Sequence, residues 1–306
     1  MSKADKPTID RRHLRLLDAS DELVAEVWGS QHQELLFTHA LLTSVSLPYR
    51  SQGDARSYAR KCGNVSLRLD AGAVPGADGA WRDVPLPYGA KARLLLLHLT
   101  SEAIRTGSPV VEVEDSFTAF ARSLKISTDG KNLRLLRKQI EAMAAVRMAL
   151  AQRNGDRVEV FQGHVFEGIS AQLPDDPRQM PLWSSVVRFS PRFFESARQR
   201  AVPLSKTAVM ALKHNARALD VYGWLAHRFH GLGKPVKVRW TSLRWQFGKP
   251  EQDLTGFKRR FRDALKQVLV VYPNARVEAV YGGIKLSPSP TPVKSVRRPG
   301  RGLIED

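Results

Sequence analysis

A single cysteine, Cys62, stands in a chain of 306 residues. No internal disulfide can form from it, and zinc sites built on several cysteines are excluded. This usage fits a reducing compartment. Lone Cys62, with no identifiable histidine partner, reads as a packed or exposed thiol. Long apolar runs are also missing. Nothing approaches the roughly 18 consecutive apolar residues of a membrane-spanning helix, and the longest block, Leu94–Leu97, belongs to an amphipathic pattern. The opening stretch MSKADKPTIDRRHLRLLDASDE has no apolar segment of the secretory kind.

Several catalytic signatures are absent too. No Gly-x4-Gly-Lys-Ser/Thr loop is present to cradle a nucleotide. None of the eight histidines forms the His-x-His metal pair that a rolling-circle nicking enzyme needs. His227 and His230 lie three apart and fit a helix end, where a cation is favourable, better than a metal site. No cofactor, no metal and no catalytic group is expected, and the chain reads as a non-enzyme. A nicking enzyme remains the rival from another class.

Acidic residues are scarce beside basic ones. Lys and Arg number 48 against 30 Asp and Glu, giving a net charge of +18 and a pI near 10.4. The excess is concentrated: residues 230–301 hold 16 Lys/Arg and four Asp/Glu, +12 of the +18. Such a field gathers polyanions. Nucleic acid is the first candidate; an anionic membrane lacks an apolar anchor. The 42% hydrophobic content is enough to build cores.

Hydrophobic periodicity sets the elements. Residues 1–32 mix charges and read as a mobile arm, with a short helix around Leu14–Val27. Asn64–Asp70 alternates as one strand, and the Gly/Pro-rich 71–87 reads as a loop. Ala90–Thr106 is helical and stops at Gly107-Ser-Pro109. Val110–Val113 is a short strand. Asp115 or Ser116 caps a helix carrying Phe117, Phe120 and Leu124. Lys131–Ala144 is the next helix, with Leu133, Leu136, Ile140 and Met143 apolar. Arg147–Ala151 and Arg157–Phe161 flank Asn154-Gly155, a strong hairpin signal.

The same order returns in the second half. Leu204–Ala216 and Leu219–Phe229 are helical, Val236–Trp240 is a strand, and Thr241 caps a short helix. Residues 253–270 form the last helix, started by Asp253 or Thr255. Ala275–Val280 and Ile284–Leu286 make a second hairpin around Tyr281-Gly-Gly283. Gly107-Ser-Pro-Val110 aligns with Gly233-Lys-Pro-Val236 at an offset of 126 residues. Matching stops, caps and order favour duplicated architecture.

The expected fold is α+β and mostly helical, with two tandem winged-helix domains at 33–173 and 178–287. A mobile arm precedes them (1–32) and a disordered basic tail follows (288–306). Pro174-Asp-Asp-Pro177 punctuates the connection. In the last helix Leu254, Phe257, Phe261, Leu265 and Val268 fall within an arc of about 80°. Lys258, Arg259, Arg260, Arg262 and Lys266 lie outside that stripe. A helix entering the DNA major groove needs this division into a docking face and a cationic face. The helix from Lys131 has it more weakly, through Lys131, Arg134 and Lys138. Arg137 is counted with them as a DNA-contact candidate, although it lies nearer the apolar side, where a structural role is the alternative. Arg153, Arg157, Arg276 and Lys285 on the hairpins are candidate phosphate contacts. The aromatic set Trp224, Trp240, Trp245, Phe229 and Phe247 fits core packing better than base stacking.

Four segments carry a family resemblance: Cys62-Gly-Asn-Val-Ser-Leu-Arg-Leu69; Leu86-Pro-Tyr-Gly-Ala-Lys-Ala-Arg93 with the leucines through Leu97; Leu99-Thr-Ser-Glu-Ala-Ile-Arg105; and Ala218-Leu-Asp-Val-Tyr-Gly-Trp-Leu-Ala-His-Arg228. In these the chain resembles plasmid-encoded RepA-type replication initiators over about residues 60–270. It departs at Lys61-Cys-Gly-Asn64, where such proteins commonly carry Arg-Asn-Gly-Asn. The resemblance implies tandem winged-helix domains on repeated sites (iterons) in a plasmid origin, in the bacterial cytoplasm. It also implies plasmid copy control, a homodimer through the first unit, and recruitment of the host initiator and replicative helicase. Carried over, Lys131–Lys138 and Lys258–Lys266 become the DNA-reading segments. A transcriptional regulator on the same scaffold is the alternative.

Overall fold

The computed structural model describes residues 11–28, 33–76, 78–170, 186–248 and 253–293. In chain order the first elements are α1 (Arg11–Trp28), β1 (Leu35–His39), α2 (Ala40–Ser44), β2 (Ser57–Cys62), β3 (Val65–Asp70), β4 (Ala73–Pro75) and β5 (Trp81–Asp83). Next come α3 (Gly89–Thr106), β6 (Val110–Glu112), α4 (Phe117–Ser123), α5 (Gly130–Ala145), β7 (Arg147–Asn154), β8 (Arg157–His164) and β9 (Phe166–Ser170). The second half has β10 (Val186–Phe189), α6 (Pro191–Gln199), β11 (Ala201–Ser205), α7 (Lys206–Leu212) and α8 (Ala216–His230). It closes with β12 (Val236–Arg239), α9 (Trp240–Phe247), α10 (Leu254–Val271), β13 (Val277–Val280) and β14 (Gly283–Leu286). The fold is α+β.

Two apolar cores organise these elements. One gathers Val65, Leu67 and Leu69 of β3, Phe120 of α4, Leu133, Leu136 and Ile140 of α5, and Met148 and Leu150 of β7. The other gathers Trp224 and Leu225 of α8, Leu243 and Phe247 of α9, Phe257, Phe261 and Val268 of α10, and Ile284 of β14. Helix α3 lies between them. Its Leu95, Leu96 and Leu99 enter the first core, while Leu94 and Leu97 enter the second. That double burial explains why four leucines stand in succession there. An ordinary surface helix keeps its apolar residues to one stripe.

The repeated order holds. β6–α4–α5–β7–β8 in the first unit corresponds to β12–α9–α10–β13–β14 in the second. Strand pairing does not repeat. β12, β14 and β13 form one antiparallel sheet, whereas β6 pairs with β10, and β7 and β8 join β2 and β3 in a four-stranded sheet. The first hairpin is thus half of a four-stranded sheet, and the second makes up two of the three strands of a small one.

Helix starts follow the chemistry of short oxygen acceptors. Ser116 Oγ accepts from Ala119 N at 3.0 Å to start α4. Asp129 accepts from Asn132 N at 2.9 Å to start α5. Asp253 starts α10 by accepting from Thr255 N at 3.2 Å and Gly256 N at 2.6 Å. Gly107 ends α3 with φ 69°, the left-handed conformation that a residue without Cβ adopts freely.

Several expectations are corrected. The mobile arm gives way to α1, whose Leu16, Ala19 and Leu23 pack into the second core; its apolar spacing has a partner that lies far away in sequence. Residues 288–293 are not a free tail. Val293 is buried, and the Tyr272 hydroxyl donates to the Pro290 carbonyl at 2.5 Å. Leu204 and Ser205 lie in strand β11, paired with β1, rather than in a helix. Residues 73–83 carry the ribbon β4–β5 instead of a loop alone. The α9 helix begins at Trp240 with no side-chain cap from Thr241. Residues 186–199, placed in the second unit by a boundary at 178, send Val187, Phe189 and Phe193 into the first core. The Pro174–Pro177 connection, residues 249–252 of the second turn and residues 294–306 of the tail lie outside the described residues.

Candidate nucleic-acid interface

Helix α10 divides as its sequence period requires. Phe257 and Phe261 are each 0% exposed, with Ala264, Leu265, Val268 and Val271 also buried. Rings of Trp240, Phe247 and Phe257 surround Phe261 with centroids 5.5–5.9 Å away. Burying two whole phenylalanine side chains is worth about 3–6 kcal/mol of docking energy for the helix. On the other side Arg259, Arg260, Arg262 and Lys266 are exposed and Lys258 is half-buried. Arg262 lies with its guanidinium 5.1 Å from the Trp240 ring centroid. That stacking restricts the side chain and leaves its polar edge for another partner.

The hairpin next to α10 carries the other predicted cations. Arg276 is exposed. Lys285 is half-buried, with Nζ 3.6 Å from Glu278 Oε2. At the turn, Tyr281 is 97% exposed and Gly282 takes φ 76°. Lys237 and Arg239 of β12 are exposed on the same small sheet, with Lys237 Nζ close to Gly282. The sequence pattern does not single out these two. A strand's alternation marks its buried face and is silent about the use of the other.

In the first unit Lys131, Arg134 and Lys138 are exposed on α5. Arg137 is half-buried and structural: its Nε lies 3.1 Å from Glu141 Oε1, and Arg82 Nη2 lies 3.0 Å from the other oxygen of that carboxylate. Arg153 and Arg157 are exposed at the tip of β7–β8, where Arg157 lies 3.6 Å from Glu159. Asn64 ties that tip to the β2–β3 turn by donating to the Arg153 carbonyl at 3.0 Å and Asn154 Oδ1 at 3.1 Å. The predicted residues therefore form two groups, one on each unit.

A buried ion pair joins the units. Arg93 of α3, 5% exposed, donates through Nε and Nη2 to both oxygens of Asp220 on α8, at 2.7 and 2.8 Å. Its remaining N–H groups reach the carbonyls of Leu47, Pro48 and Gly89. All five guanidinium donors are used. Burial opposes the charge on Arg93, but the Asp220 carboxylate outweighs it and holds its pKa above the usual arginine value. A second seam runs from α9, where the Gln246 carbonyl accepts from Arg60 Nη1 at 2.7 Å and Ser46 Oγ at 3.1 Å.

Among the other candidates, Trp224, Trp240, Phe229 and Phe247 are core residues, but Trp245 is 52% exposed. It sits on the turn of α9 that faces away from Leu243 and Phe247. His227 Nδ1 lies 2.9 Å from Thr43 Oγ1. Burial pushes the half-buried Cys62 thiol's pKa up, which lowers its thiolate fraction. Among the described residues no three His, Cys, Asp or Glu come together as a metal site, and no helix is long and apolar enough to cross a membrane.

An α+β chain of two linked units is also the form of domains 2 and 3 of RctB. Their selenomethionine crystal structure gives a TM-score of 0.53 at 8% identity, covering 83% of this chain and 99% of that one. A second crystal structure of RctB domains 2–3, residues 155–483, gives 0.49 at 7% identity, covering 80% and 94%. No curated protein matches the chain. Residues 86–246 match the family described as plasmid encoded RepA protein, and the chain belongs to that family of plasmid replication initiators. Arg93 and Asp220, which close the junction, lie in the two segments on which the resemblance rests most heavily.

Proposed function

We propose that the protein is a sequence-specific, double-stranded DNA-binding initiator of plasmid replication, with each unit acting as a winged-helix module. The observation that carries this reading is α10: two phenylalanines anchored at 0% exposure behind a row of exposed arginines. In this reading α10 enters a major groove and the β13–β14 hairpin lies against the backbone. Helix α5 gives the weaker second contact, because one of its four predicted cations is committed to Glu141. The sites are repeats in a plasmid origin. The bound protein opens the origin and brings in the host initiator and the replicative helicase, in the bacterial cytoplasm, without catalysis of its own. A homodimer through the first unit, iteron-based copy control and the division at 33–173 and 178–287 belong to the same proposal, with β10 and α6 reassigned to the first unit.

The test is binding to duplexes from its own plasmid origin, with every base pair of the protected site substituted in turn. If Arg259 or Arg262 reads a base, its change to alanine costs about 1–3 kcal/mol and removes discrimination at one position. Equal weakening on all sequences assigns that arginine to phosphate. Protection confined to unrepeated DNA, or normal plasmid maintenance with the gene deleted, counts against an initiator and for a transcriptional regulator.

A further inference from the structure

Two clefts meet where the units touch, sharing Ala90 and His214 in their walls. The smaller, about 260 Å³, opens beside the start of α5 and contains Lys91, Lys125 and Lys213. The larger, about 650 Å³, passes the start of α8 and ends at α10; it contains Arg50, Arg217 and Arg260, with Arg60 at its wall. Among the described residues no aspartate or glutamate lines either cleft. Cations confined between low-dielectric walls repel one another and concentrate anions.

Several contacts of these groups are with neutral partners, while the carboxylates of Asp129, Asp220 and Asp253 interact at longer range with Lys91, Arg217 and Arg260. Lys213 donates to the Lys125 carbonyl. Arg60 donates to the Tyr58 hydroxyl and the Gln246 carbonyl. Arg217 stacks on Tyr49, its guanidinium 4.8 Å from the ring centroid, and its buried Nε has no hydrogen-bond partner. Burial first, and the charge of Arg260 as well, hold Arg217's pKa below the ordinary arginine value. Burial lowers the pKa of Lys91 and of Lys213. The start of α8 adds the positive end of a 15-residue helix to the same wall.

We propose that this seam is a phosphate-binding track, running from the first turns of α5 to Arg260 on α10. It takes successive phosphate groups of a polyanion and joins the two cationic groups described above into one surface. The proposal rests on the DNA-binding reading only for the source of those phosphates, a duplex backbone or a free polyphosphate.

Arg50 and Lys125 are exposed, so Arg50→Gln and Lys125→Gln leave both cores intact. The experiment measures the affinity of the full chain for origin duplex and for random duplex across a salt series, and its thermal shift with tripolyphosphate. With a backbone phosphate in the track, each variant lowers the slope of log K against log salt by about 0.9 on both duplexes. If the slopes hold but tripolyphosphate stabilises the native chain and not the variants, the site stands and its ligand is a free polyphosphate. Unchanged slopes together with no difference in thermal shift overturn the inference. The Arg259 and Arg262 variants report on α10 separately, so the failure of one reading is distinguishable from the failure of the other.

Discussion

Asp220→Asn is the sharpest perturbation of the junction between the units. It keeps the shape of the side chain and removes the charge that faces Arg93. Breaking a buried ion pair by removing one partner costs about 3–5 kcal/mol, because the other charge remains buried. Here Asp220 retains 12% side-chain exposure, and three backbone carbonyls still accept from Arg93. Both features relieve the stranded guanidinium, so the low end, about 3 kcal/mol, is expected. At about 2–4 °C per kcal/mol for a chain of this size, the melting temperature falls by roughly 6–12 °C. Urea unfolding of Asp220→Asn, Arg93→Met and the double variant completes a cycle. Because Arg93→Met also strands the Leu47 carbonyl, the double variant does not recover fully, but it loses about 2 kcal/mol less than the sum of the singles. Asp263→Asn, on the exposed side of α10, serves as the control and stays within about 0.5 kcal/mol. A loss below about 1 kcal/mol for Asp220→Asn, or strict additivity in the cycle, refutes the idea that this pair fastens the units.

Phe261→Ala removes the centre of the aromatic cluster behind α10. It is expected to cost about 3–5 kcal/mol by urea unfolding and to abolish DNA binding together with stability; a loss below about 1 kcal/mol denies that Phe261 anchors the helix. His39 supplies a pH signature. Its Nδ1 accepts from Leu41 N at 3.1 Å, so Nε2 carries the proton facing Ser196 Oγ at 2.9 Å, and the ring is neutral. Burial, then the charge of Arg200, lowers its pKa from 6.5 to about 4. The unfolded chain therefore binds a proton between pH 6.5 and 4 that the folded chain refuses, and stability falls as pH drops through that window. His39 contributes about 3 kcal/mol to the fall, while His98 and His227, lowered chiefly by burial, act in the same direction. His39→Asn keeps an acceptor for Leu41 N and flattens this part of the profile; an unchanged pH dependence shows that the ring protonates freely.

The legible parts of the fold were those whose cause is local. Alternation in β3, the apolar stripes of α5 and α10, the caps at Ser116 and Asp253, and the Asn154-Gly155 hairpin all depend on residues a few positions apart. The elements less legible in the sequence have remote partners. α1 looked like an arm because the core that covers Leu16 and Leu23 is built mostly from residues after 200. The end of β11, Leu204 and Ser205, looked helical because the strand that pairs with it, β1, is far away in the chain. Trp245 was placed with the core aromatics, since spacing gives the face of a helix and not what lies opposite it.

The same division runs through the candidate site. Composition alone pointed to a polyanion partner, and periodicity gave a last helix with one oily and one cationic face, because a helix turns by a constant angle per residue. They also separated Arg137 from its neighbours, by its angle to the apolar stripe. Only the tertiary structure brought Arg93 to Asp220, and only it lined one seam with Arg50, Lys125, Lys213 and Arg217. Those residues come from segments scattered over more than 150 positions. Charges so placed interact through space alone, and no pattern along the chain records the distance between them.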